Sequence, residues 1–161
     1  MPSVMTVHPL GPTYGADPVV VALPGPEAAG AAEIRHVFTA KTHCEVVAAS
    51  LQDAATLGAS DTNYALFRLR KNGSFTAGAS DGAVVAGPYA NRATAGAGAV
   101  AIGALTAGSE KDLVVTADKE ARRLAPGDRL YFEKYGVAGS GAALSAKAVL
   151  VIWVQGGYGA A

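Results

Sequence analysis

The chain has 161 residues, enough for one domain or one domain with an arm. Thirteen basic residues balance thirteen acidic ones, and only 16% of the chain is charged, against a usual quarter. That balance argues against a nucleic-acid binder driven by surplus Lys and Arg and against a basic membrane-surface helix. A lone Cys44 excludes an internal disulfide framework.

Half the chain is hydrophobic, but much of that is alanine; Leu, Ile, Val and Phe together supply 36 of 161 residues. A modest core is expected, made largely of β-branched Val. The first basic residue is Arg35, so the basic start of a secretory signal is missing. The most apolar run, Ala146–Val154, contains Lys147 and is too short to span a bilayer. These features point to a chain made in a reducing cytoplasm, or assembled there into something larger.

Six of the eight prolines lie at Pro2, Pro9, Pro12, Pro18, Pro24 and Pro26. Proline lacks an amide donor and resists helix and sheet interiors, so residues 1–32 read as an extended arm preceding a domain over 33–161. Within the arm, Val19, Val20 and Val21 form a short apolar run able to pair as an edge strand, and Gly25–Ala32 reads as a linker. Two readings stand: a terminus without fixed structure, or an arm that orders on a partner through Val19, Val20, Val21 and Leu23. The second accounts for an apolar run that a solvated tail does not need.

From Ile34 onward the strand signals dominate. Glu33–Ala40 alternates, and Thr42–Leu51 is rich in β-branched residues. After a turn at Gly58–Asp61, Thr62–Lys71 places Tyr64 and Leu66 on one face and Phe67 and Leu69 on the other. Asn72-Gly73 is the strongest hairpin signal in the chain, which predicts a return strand starting at Phe75. Gly78–Asp81 repeats the four residues at Gly58, but the following residues differ, so these are two similar turns and no solenoid. Ala93–Ser109 is small and uncharged; close-packed strand and loop are expected, with Val100, Ile102 and Leu105 inward.

Lys111–Ala117 reads as a strand, and Asp118–Leu124 as one helical turn capped by Asp118. Ala125–Asp128 places Pro and Gly where a type II turn requires them. Arg129–Tyr135 alternates. Ser145–Gln155 is apolar on both faces after Lys147, as in a strand central to a sheet or one covering an intersubunit face. Leu150, Ile152, Val151 and Trp153 are its candidate core or oligomer-interface residues. About eight short strands with turns between them predict a β-sandwich or barrel.

Candidate chemistry is sparse. His36, His43 and Cys44 are the nearest approach to a ligand cluster, but strand neighbours 43 and 44 point to opposite faces, so no metal site is expected. Ser60, Asp61 and His36 contain triad residue types without a nucleophile-elbow motif. Carboxylates at Glu110, Asp112, Asp118 and Glu120 alternate with Lys111, Lys119, Arg122 and Arg123, the pattern of a solvated surface. Gly96-Ala97-Gly98 lacks the helix and lysine of a phosphate cradle. Tyr64, Phe67, Arg68 and Arg70 have the residue types of a nucleic-acid platform, but zero net charge favours core packing for the rings. No catalytic residue, cofactor or metal is assigned.

One resemblance runs through the domain in order. Ile34–Ala40 leads into Cys44–Leu51, then Asp53-Ala54, then Gly58–Tyr64 running into Leu66–Arg70 and the Asn-Gly turn. Later, Leu124–Asp128 leads into Leu130–Phe132, followed by the Gly-rich Gly136–Gly141 and the closing strand Ala148–Val154. This order, over about three quarters of the chain, resembles the capsid decoration (cement) and head-fibre proteins of tailed bacteriophages. The resemblance implies a mainly β fold: a single jelly-roll sandwich on the outer capsid face, without enzymatic activity. Its implied partners are the major capsid protein and further copies of itself, a trimer favoured over a dimer, with no nucleic acid and no membrane. The implied location is the virion surface, after assembly in the host cytoplasm.

Two rivals stay open. A β-sandwich binding module of a head fibre or adhesin, recognising a host-surface glycan or receptor, predicts exposed aromatics, with Tyr89, Tyr131, Tyr135 and Tyr158 as candidates. A hydrolase on a β-scaffold predicts a pocket with a His, His36 or His43, or with a carboxylate pair of shifted pKa.

Overall fold

The computed structural model describes residues 16–23, 30–139 and 143–156. Pro2, Pro9, Pro12, Pro24 and Pro26, most of the Gly25–Ala32 linker, the end of the Gly136–Gly141 turn and Tyr158 lie outside the described residues. The fold is mainly β. In chain order its elements are β1 (Asp17–Leu23), β2 (Glu33–Thr39), β3 (Cys44–Gln52), β4 (Leu66–Lys71), β5 (Ala83–Ala90), β6 (Ala101–Ile102), β7 (Glu110–Asp112), α1 (Lys119–Arg122), β8 (Arg123–Leu124), β9 (Arg129–Tyr135) and β10 (Ala148–Gly156).

They form two sheets. The first runs β1-β10-β3-β7, with β8 also on β3; the second runs β2-β9-β4-β5-β6. Every pair is antiparallel except the short β5–β6 ladder. The sheets contribute to one core, in which Phe67, Leu69, Tyr89 and Phe132 of the second meet Leu51, Leu150 and Ile152 of the first. Phe67 stacks against both Tyr89 and Phe132, at centroid distances of 5.8 Å and 6.2 Å. Period-2 alternation selects these residues: each strand turns one side-chain row inward.

Asp17–Leu23 is part of this domain. It pairs with β10 along its whole length, from Asp17 opposite Val154 to Leu23 opposite Ala148. Leu23 is only 2% exposed, and Val19 and Val21 pack against the same core. The sequence boundary at residue 32 therefore shifts: the run inside the proline-rich segment serves as a strand, because Val19, Val21 and Leu23 turn an apolar row to the core while Val20 faces outward.

Three local expectations change. The chain does not return at Phe75, and β5 begins only at Ala83. Asn72 continues along β9 instead, its N–H donating to Arg129 O at 2.8 Å and its side-chain oxygen accepting from Arg129 N at 2.9 Å. Lys111–Ala117 is not one strand. Leu113 donates to Ala49 of the first sheet, while Thr116 donates to Val85 of the second, so the segment crosses between sheets. That crossing leaves Val114 half-exposed between buried Leu113 and core-packed Val115. Val100 points outward, because its neighbour Ala101 takes the core-facing position; Leu105 is buried as expected.

Other local signals match. Asp118 caps α1 by accepting from Glu120 N at 3.0 Å. Ala125–Asp128 closes with Asp128 N donating to Ala125 O, and Gly127 has φ +94°.

Candidate interaction surface

Strand alternation in β4 turns Phe67 and Leu69 to the core and Arg68 and Arg70 to the other face of the second sheet. Glu133 of β9 lies opposite Arg68 in the ladder. It accepts from Arg68 Nε at 2.5 Å and from Arg70 Nε at 2.8 Å. Arg70 also donates to the carbonyls of Asn72, Ser74 and Asp81 at 2.7, 2.6 and 2.8 Å, and Arg68 to that of Ala79 at 2.6 Å. Residues 72–82 are thereby laid across the outer face of the second sheet, over a buried Arg–Glu–Arg triad. Gly73 and Gly82 permit this close crossing: both have positive φ, and a Cβ on Gly82 would meet main-chain oxygens at 2.6 Å. Asp81 closes the loop by accepting from Ser74 N at 2.6 Å, the main reason its carboxyl lies below the ordinary range.

The other motifs of the resemblance also lock loops. Buried Asn91 accepts from Ala65 N at 2.9 Å and donates to Gly58 O at 2.9 Å, gripping the Gly58–Tyr64 stretch from both ends. Asp61 there accepts from Thr94 N at 3.0 Å, which holds its carboxyl low, while Arg92 lies 4.7 Å over the Tyr64 ring. Asp53 accepts from Ser145 through both N–H and hydroxyl, tying the end of β3 to the approach to β10. Asn72 donates to Asp128 at 2.8 Å, which links the Asn-Gly turn to the Pro-Gly-Asp turn.

The residues with reactive side chains stay apart. His36 is exposed and bonded to the Thr39 hydroxyl at 2.7 Å. His43 is exposed while the adjacent Cys44 is buried, and burial pushes the Cys44 thiol up, with the Asp128 charge adding to it. Ser60 accepts from Asn63 N, and Asp61 engages Thr94 and Arg92, so neither is directed at His36. Among the described residues no group of three His, Cys, Asp or Glu is placed to hold a metal ion. The aromatic candidates are not displayed together. Tyr89 is fully buried, its hydroxyl donating to Gly103 O at 2.7 Å and its phenol pushed well up by burial; Tyr131 is buried; Tyr135 is half-buried beneath Arg68.

The apolar surface lies elsewhere. Leu150 and Ile152 face the core, and Val149, Val151 and Trp153 face outward from the first sheet, half-buried. Their ladder partners on β1 are Ala22, Val20 and Pro18, all exposed, with Val20 at 66%. On β3 the partners are Gln52, Ser50 and Ala48. The outward face of β1 and β10 therefore has six apolar residues in register and no charge. Beside it, between the edges of β1 and β2, lies a cleft of about 300 Å³ lined by Val21, Leu23, Ile34, Val37 and Phe75 among others. On the opposite side a cleft of about 480 Å³ is lined by Val84, Pro88, Val100, Val114 and Val115. Val20, Val151 and Trp153 carry a strand signal in the sequence, whereas Phe75 is a lone aromatic among turn residues.

Compared with known proteins, the chain matches no family model, no curated protein sequence and no solved structure.

Proposed function

We propose that this chain is a structural protein that binds the outer surface of a mature phage capsid and stabilises it by bridging neighbouring capsomers. The observation that carries the proposal is the charge-free outward face of β1 and β10, where Pro18, Val20, Ala22, Val149, Val151 and Trp153 stand in register. Contiguous apolar surface of this kind marks a protein-binding site. The strand order adds support for a jelly-roll sandwich: β1-β10-β3-β7 and β2-β9-β4-β5 interleave the start and end of the chain as two Greek keys do. The resemblance of the domain to decoration proteins points the same way, and the motifs that carry it serve as loop clasps.

The mechanism is physical. A shell under pressure from packaged DNA parts where capsomers meet. A protein whose site is assembled only after expansion binds that state and not its precursor, so it shifts the equilibrium toward it. Binding at a hundred times Kd lowers the free energy of the bound state by about 2.7 kcal/mol per site. An oligomer spanning several capsomers gains effective concentration, so modest contacts suffice. Zero net charge lets many copies lie side by side without repulsion.

The test is co-sedimentation with expanded and unexpanded shells of the phage that encodes the chain. Retention on expanded shells alone, lost in Val20→Asp, is the expected result. Equal retention on both shells, or on neither, overturns the proposal. Deleting residues 1–15 leaves β1 and Leu23 in place and should weaken retention on expanded shells while keeping the β circular-dichroism signal; unchanged retention means that those residues take no part in binding.

A further inference from the structure

Arginines in this chain are matched to carboxylates, with one exception. Six of the seven sit in ion pairs of 2.5–3.6 Å: Arg35 with Glu33, Arg68 and Arg70 with Glu133, Arg92 with Asp61, and Arg122 and Arg123 with Glu45. Arg129 has no such partner among the described residues. Its exposed side chain lines a cleft of about 360 Å³ on the outer face of the second sheet, together with His36, Thr39, Phe75 and Tyr131.

Two strands and the pinned loop build this cleft. Tyr131 stands opposite Arg70 of β4 and opposite His36 of β2, so both ladders place it on the outer face. Arg129, two residues earlier, shares that face. His36 and Thr39 are three apart and would face opposite ways on a regular strand. The register shift between His36 and Phe38 brings them together, with His36 Nε2 2.7 Å from Thr39 Oγ1. Phe75, 62% exposed, closes the cleft from the loop; its ring and that of His36 both stand edge-on to Tyr131, at 5.6 and 5.9 Å. Arg68, Arg70 and Glu133 pin that loop, and a ring held in place beforehand loses little freedom when a ligand docks.

No carboxylate is among the described residues that line the cleft. Asp128, next to Arg129 in the chain, is engaged by Ala125 N and the Asn72 side chain. The cleft therefore offers an unpaired guanidinium, a hydroxyl, an imidazole and the face of an exposed aromatic ring. A guanidinium fits a carboxylate through two parallel hydrogen bonds. The aromatic face beside polar groups fits a ring that is apolar on its face and hydroxylated at its rim. The cleft lies on the face of the sheet and not along the edge of β2, so a peptide adding as a strand would pass it by. We propose that this cleft binds a carboxylate-bearing sugar, with Phe75 against the pyranose face, Arg129 on the carboxylate, and Thr39 and His36 on ring hydroxyls. The volume is at the small end of ligand sites, which suits one sugar residue at a time. The inference goes beyond the capsid-binding role and stands on these side chains alone.

The experiment is amide-resolved NMR titration of the full chain with the methyl glycosides of glucuronic, galacturonic and N-acetylneuraminic acid, each beside its methyl ester. At least one acid should give saturable shifts at His36, Thr39, Phe75 and Arg129, and its ester should bind at least ~10-fold more weakly, as loss of a charged hydrogen-bond partner does. Arg129→Gln should weaken the acid to the level of the ester, and Phe75→Ala should weaken both. Acetate, inorganic phosphate and N-acetylglutamate amide should bind more weakly than the best sugar acid. No saturable shift with any of the three acids, equal binding of acid and ester, or unchanged binding in Arg129→Gln overturns the inference. So does a phosphate, acetate or glutamate probe that binds as tightly as the sugars, which would assign the cleft to a bare anion or a protein carboxylate. The comparison of acid with ester needs no variant, so it decides the matter even if Arg129→Gln or Phe75→Ala fails to fold.

Discussion

The outer faces of the two sheets use their side chains in opposite ways. On the second sheet, Arg68, Arg70 and Glu133 occupy the outward positions, and the chain covers them with its own residues 72–82. On the first sheet, the outward positions of β1 and β10 hold Pro18, Val20, Ala22, Val149, Val151 and Trp153, with no charge among them. Charge here is turned inward to fix loops, and apolar surface is turned outward. That inversion is costly in a protein with no partner: burying ions carries a desolvation penalty, and exposed apolar area invites association. It makes sense where the loops must be rigid and the apolar face is a contact surface.

The largest effect is expected at Glu133. Glu133→Ala strands two guanidinium groups under the loop and should cost about 3–5 kcal/mol, read as a fall in the urea midpoint with new proteolytic cuts within 72–82. Replacing Arg68, Arg70 and Glu133 together by apolar residues should restore much of that stability yet leave the loop open to protease. Full stability in the single variant would mean that the triad does not hold the loop.

Next comes a contrast within a single ladder. Leu150→Ala, on the core face of β10, should cost about 2–5 kcal/mol. Val20→Asp, on the outward face of the neighbouring strand, should cost about 1 kcal/mol or less while changing association. Equal destabilisation by both would mean that the two faces of the first sheet are not distinct. Asp53→Ala comes third. It leaves the Ser145 N–H without its acceptor, which should cost about 1–3 kcal/mol and raise hydrogen exchange between residues 143 and 147.

The smallest effect is one of pH. Asp81 is held below its ordinary value of 3.8, chiefly by the Ser74 N–H, so its contribution is present above that value and is lost as pH falls through the lower folded value. The loop around Phe75 should therefore loosen only in strong acid, seen as selective broadening of Ser74 and Phe75 amide signals ahead of global unfolding. Loosening near neutrality would assign the loop to another group.

How much was legible in the sequence follows the range of the interactions. Arg129–Tyr135 emerged with the bounds the alternation predicts, and α1 began at its Asp118 cap, because both signals are local. Phe75 was misplaced because what decides the path after Asn72 lies 56 residues away at Asp128. Lys111–Ala117 reads as one β-branched strand, yet its two halves bond to different sheets. Of the outward apolar surface, Val20, Val151 and Trp153 were legible as apolar strand positions. Phe75, Val100 and Val114 were not, since their exposure is a property of the assembled sheets. Glu133 carried no signal of its own, though Arg68 and Arg70 two residues apart on a strand already shared a face opposite Phe67 and Leu69.

The central claim is that the charge-free face of β1 and β10 is a surface for protein neighbours on a capsid. A density map of the mature phage head tests it most directly. The account predicts this chain on the outer shell, with Val20 and Val151 against a capsid seam. Heads without the chain, or a chain with that face turned to solvent, would contradict it.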